Sequence, residues 1–134
     1  MCLRITHDRP MVAREDMEVW KVLDSGSVPP YCHYRYRRGL NVPDVPARGI
    51  GYRGVEIGPG WLHAFQHRAW AVEEAGALNL TGWLGKDRVF TAVRMLIPRG
   101  SEYYIGNHHD ICSSALYWPE EETADPNQEK IPEV

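Results

Sequence analysis

The chain has 134 residues, 43 % of them hydrophobic and 25 % charged, with a formal net charge of -3. That length suits one globular domain, and no apolar run approaches the roughly 18 residues that a membrane span needs. A charge so near neutral does not require a nucleic-acid partner.

The charge is unevenly placed. Residues 119–134 hold six acids and one base, Lys130, which leaves 12 acids and 14 bases in residues 1–118. The acidic stretch has prolines and no apolar periodicity, so it cannot offset its ordering entropy by burial; it reads as a disordered tail behind a single domain at 1–118. The first residues carry charge with no apolar segment behind them, which predicts no secretory signal and a cytoplasmic location. Cys2, Cys32 and Cys112, odd in number and widely spaced, read as reduced thiols rather than a disulfide framework.

Residues 17–23 alternate Val19, Lys21 and Leu23 with Glu18, Trp20 and Val22 and stop at Asp24-Ser25-Gly26, which predicts an opening strand. Residues 31–37 set Tyr31, His33, Arg35 and Arg37 against Cys32, Tyr34 and Tyr36, a strand with a basic face and an aromatic, core-side face. Prolines and glycines then break residues 40–60 into turns around one short extended piece at 52–57. Loops of that length are uncommon unless they bind something, so this loop-rich face is a first place for a site. Phe65, Ala69, Val72 and Gly76 fall at i, i+4, i+7 and i+11, the buried stripe of a helix that leaves Gln66, Arg68 and Glu74 to solvent and stops at Gly76. Residues 89–97 carry Arg94 as their one charge, a central strand that Pro98-Arg99-Gly100-Ser101 ends. Tyr103, Tyr104 and Ile105 precede a turn at Gly106-Asn107, and residues 111–118 supply a last strand. The fold class is α+β, a mainly antiparallel sheet with one packed helix.

Three segments carry a resemblance: Gly60-Trp61-Leu62-His63-Ala64-Phe65 ahead of an alanine-rich helix, Ile97-Pro98-Arg99-Gly100-Ser101-Glu102-Tyr103-Tyr104, and Ile111-Cys112-Ser113. Over residues 50–118 the chain resembles small bacterial and bacteriophage proteins with a glycine, aromatic, histidine step before a helix and an IPKGSxYY strand end. Leu62 is an addition to that pattern, and Arg99 stands where lysine is usual. The group has no established activity. The resemblance implies the fold, a phage or mobile-element origin, and interaction with host or virion as readily as catalysis.

No nucleophile elbow, phosphate loop or paired-cysteine metal motif appears. His63 and His67, with His108, His109 and Cys112, supply enough nitrogen and sulfur for one zinc, but not at a diagnostic spacing. If residues 61–65 are extended, His63 lies in a strand and His67 starts the helix; a packed His63 and a solvated His108-His109 turn explain the same letters, so no metal or other cofactor is expected. Tyr34-Arg35-Tyr36-Arg37-Arg38 mixes the residues that stack bases and neutralise phosphate, but strand alternation separates the two types, and the body lacks a broad basic footprint. Cys2 behind Met1 has no supporting context as an N-terminal nucleophile. Among the tryptophans, Trp70 beside the helix stripe reads as core, and Trp83, between Gly82 and the Leu84-Gly85 pair, reads as an exposed contact residue.

The leading expectation is an accessory domain that binds a protein partner without catalysis, through Tyr52 and Trp83, with Arg35 and Arg37 as further binding residues; nucleic acid is the weaker partner reading. The alternative is a small enzyme of ADP-ribosyltransferase-like type acting on a nicotinamide dinucleotide. It rests on similar architecture: His33 or Arg35 on an early strand, Tyr52 or His63 as the central ring, and Glu102 as the late acid.

Overall fold

The computed structural model describes residues 9–30, 34–43, 61–106 and 109–120. Within them the chain runs β1 (Met11–Val12), β2 (Met17–Asp24), β3 (Gly39–Asn41), β4 (Leu62–Phe65), α1 (Arg68–Thr81), β5 (Phe90–Ile97), β6 (Glu102–Ile105), β7 (Asp110–Ser113) and β8 (Leu116–Trp118). The strands pair antiparallel in one sheet ordered β1-β6-β7-β4-β2-β5-β8-β3. The body is therefore α+β and mainly sheet, as the sequence predicts. No helix among the described residues is long and apolar enough to cross a membrane.

The β2–β5 ladder is the spine, pairing Met17 with Ile97 and running to Asp24 with Phe90. Alternation sends Val19, Leu23, Met95 and Ile97 to one face, where they meet Leu62, Ala64, Ile111 and Leu116 in the larger core cluster. Val22 and Phe90 point to the other face and pack against Ala71, Ala75 and Leu78 of α1. The carboxylate of Asp24 accepts the backbone N–H groups of Gly26 (2.8 Å) and Val28 (3.0 Å), which turns the chain at the end of β2.

The predicted strand at 31–37 is not found where it is described: residues 34–38 have no strand pairing. The Tyr36 N–H donates to the Ser27 carbonyl (2.8 Å), and the backbone of Arg37 is satisfied by a side chain. Asn41, fully buried, donates to the carbonyls of Arg37 (2.9 Å), Gly39 (3.1 Å) and Leu116 (3.4 Å) and accepts from the Arg37 N–H (3.1 Å) and the Tyr34 hydroxyl (3.2 Å). The alternation survives without the ladder, Tyr34 and Tyr36 joining the core while Arg35 and Arg37 are exposed.

The helix also differs from expectation. It passes through Gly76 to Thr81 and ends at Gly82, whose φ of 64° is the left-handed cap conformation and whose N–H reaches the Leu78 carbonyl at 3.0 Å. It buries Ala71, Ala75 and Leu78, so Ala69, Val72 and Gly76 face outward. The buried stripe is turned by about 120° around the helix axis from the predicted one. Trp70 is likewise exposed rather than core. The predicted last strand is two: Ser113 Oγ donates to the Ala115 carbonyl (2.6 Å) and breaks the run at Ser114-Ala115, so β7 pairs with β4 and β6 while β8 pairs with β3 and β5.

Candidate functional site

β2 and β4 are neighbours, but their described pairing is the single bridge Trp20 to Phe65. Past that bridge the Lys21 ammonium donates to the His63 carbonyl, taking the place of a ladder N–H, and a cavity of about 280 Å³ fills the split. β2 supplies Lys21 and Val22, β4 and the residue before it supply Trp61 to Phe65, α1 adds Glu74, β7 adds Asp110, and Pro29, Pro30 and Tyr36 complete the lining. Lys21 is nine-tenths buried, its ammonium 5.1 Å from the centroid of the Tyr36 ring. Trp61 is held edge-on by Tyr104, with ring centroids 5.3 Å apart.

His63 shares its register position with Cys112, directly across from it on β7. Desolvation on the cavity wall, reinforced by the Lys21 charge, lowers the His63 pKa to about 4, so the imidazole is neutral near pH 7. Burial pushes the Cys112 thiol up to about 12, which keeps it protonated. The site therefore presents a cation, a neutral imidazole and two carboxyl side chains, Glu74 and Asp110, between aromatic walls.

Among the described residues, His63 and, from the Tyr34 to Arg38 run, Tyr36 are the sequence candidates that line this cavity. Arg35, exposed, follows the segment that Asn41 organises, and Glu102, exposed, begins β6, two strands from β4 in the sheet order. The proposed His63, Arg35 and Glu102 grouping is thus not assembled around one cavity. Tyr52, His33, His108, Cys2, Cys32, most of the loop-rich face and the acidic tail beyond Glu120 lie outside the described residues. The metal candidates divide into two pairs, His63 with Cys112, and His67 with His109, whose ring centroids are 5.9 Å apart. Among the described residues no group of three or more His, Cys, Asp or Glu side chains stands where it could hold a metal ion. His63 lies in β4 and His67 is the N-cap of α1, the arrangement that an extended 61–65 segment implies.

Lys21, Trp61, Glu74 and Asp110 were not legible as site residues. One signal was present: Lys21 alternates with Val19 and Leu23, a lysine on the apolar side of a strand, which folding tolerates only with a partner or a role.

A second region stands apart from the cavity. The outward side of α1 and the turn after it carry Trp70, Val72, Leu80 and Trp83, exposed by 43, 43, 88 and 67 %. Trp70 stacks on His109 at 4.4 Å between centroids and 15° between planes, which braces the N-terminal end of that surface. No family model, curated protein or solved structure matches the chain.

Proposed function

We propose that this chain is a non-catalytic module that binds a protein partner through the outward side of α1 and the turn that follows it. The observation that carries the reading is the exposure of Leu80 near the end of α1 and of Trp83 in the turn just past its Gly82 cap, 88 and 67 %. Large apolar side chains exposed singly are ordinary, whereas several of them side by side are the composition of a contact surface with an aromatic anchor. Ala69, Val72 and Gly76, small or slender and also exposed, continue the same side toward the helix start and admit close approach of another backbone. Arg35 and Arg37, exposed on a separate segment, are the residues a nucleic-acid partner would use instead. The resemblance to small bacterial and bacteriophage proteins is compatible with a partner met during the life of a phage or mobile element.

The test is affinity capture of the tagged chain from cell lysate, with and without nuclease, repeated with Leu80→Glu and Trp83→Ala variants whose fold is verified by circular dichroism. A hot-spot residue is worth about 2 kcal/mol, so each variant should weaken capture of a stoichiometric protein by roughly 30-fold. Capture that survives both substitutions refutes the surface, and capture lost on nuclease treatment moves the site to Arg35 and Arg37.

A further inference from the structure

The cavity between β2 and β4 is independent of the outward side of α1 and asks for a different occupant. The cavity is a cleft half open to solvent, and a sheet built only for stability would close it by continuing the ladder past Trp20 and Phe65. Here the ladder stops after a single bridge, and the Lys21 side chain holds the strands at the width of the gap. Its aromatic walls, Tyr36, Trp61 and Phe65, favour a flat ring.

The charges on the wall narrow the class of that ring. Lys21 would attract an anion, but Glu74 and Asp110 line the same space; two carboxyl groups would attract a cation, but the buried ammonium opposes it. A wall of mixed sign is matched by an uncharged guest with acceptors at one end of its edge and donors at the other. His63, half-buried and neutral, can give or take a hydrogen bond on that edge. The volume, about 280 Å³, lies at the small end of ligand sites and suits one or two fused rings.

We propose that the split between β2 and β4 is a binding site for a neutral, planar heteroaromatic ring bearing both donor and acceptor groups on its edge, the chemistry of a nucleobase. Trp61 and Tyr36 cover the ring, Lys21 faces its acceptor edge, and Glu74 and Asp110 face its donor edge.

Adenosine, guanosine, cytidine and uridine are the probes, titrated into the full chain by calorimetry, with amide chemical shifts mapping where each binds. At least one nucleoside should bind saturably, tighter than about 1 mM, with shifts centred on Lys21, Trp61 and Phe65. Trp61→Leu should weaken that binding by tenfold or more through loss of the covering ring. Should Trp61→Leu fail to fold, Glu74→Gln on the helix provides the second variant, and a change in which nucleoside is preferred is the expected result. The proposal is overturned if no nucleoside saturates, if benzoate or benzylamine binds more tightly than all four, or if the shifts centre on Leu80 and Trp83.

Discussion

One face of the sheet is closed by large side chains with almost no exposure, Leu23, Met95, Ile97, Ile111 and Leu116 among them, whereas the other rests on Val22, Phe90 and three helix residues of which two are alanines. The alanines let α1 lie close to the sheet, but they bury little area, and beside them the β2–β4 split is left as a cavity. The split passes through the sheet, drawing Tyr36, Leu62 and Ala64 from the dense face and Val22 and Phe65 from the helix side.

The comparison breaks most sharply on deletion of core methylenes. Met95→Ala removes a fully buried side chain from the dense face and should cost about 4 kcal/mol, while Leu78→Ala, on the helix side, should cost about 2 kcal/mol because its surroundings can settle into the space. Urea denaturation of both variants measures the difference. Equal losses would mean that the two faces are packed alike.

A second difference appears with pH. His63 is on the helix side of the sheet; its ordinary pKa of 6.5 falls to about 4 in the folded chain. Between those values the unfolded chain binds more protons than the folded one, so stability rises with pH across that window and is lost as the pH falls from 6.5 toward 4. The shift corresponds to a loss on the order of 3 kcal/mol. Urea midpoints from pH 4 to pH 7 for the parent and for His63→Gln isolate this contribution: the parent's slope should exceed the variant's, and coincident slopes would place His63 in water. The Met95→Ala penalty, on the other face, should not change over the same range.

These contrasts mark how far the sequence could be read. β2 and β5 were legible because each has a long apolar alternation or run bounded by turn chemistry, Asp24-Ser25-Gly26 and Pro98 to Ser101. The helix was legible as an element but not in its orientation: residues 68–81 are apolar on nearly every side, with Ala69, Ala71, Val72, Ala75 and Leu78 supporting more than one stripe, and only contact with Val22 and Phe90 selects among them. That same ambiguity left an apolar side in solvent. Residues 34–38 misled because alternation is shared by a strand and by a segment pinned through one buried amide, Asn41. The cavity was illegible because it arises where a ladder stops, and pairing that fails leaves no mark in composition or period.

The smallest expected effect tests whether the two faces come apart independently. Asn79, exposed on α1, donates to the Phe90 carbonyl at 2.9 Å and accepts the Phe90 N–H at 2.7 Å, a two-point clamp between the helix and the first residue of β5. α1 has no side-chain cap at His67 and no acid in its first turn, so little else polar secures it in place. Asn79→Ala should cost about 1 to 2 kcal/mol, since both bonds are lost and Phe90 must find water at a strand end. Amide hydrogen exchange shows where that loss falls. Because the β2–β5 ladder is secured by the opposite face, exchange should quicken along α1 and at Phe90 while Val19 and Met95 keep their protection. If Met95 exchanges faster by the same factor as the helix, α1 and the dense face unfold as one cooperative unit, and the sparse side is then as much a part of the stability core as the face beneath it.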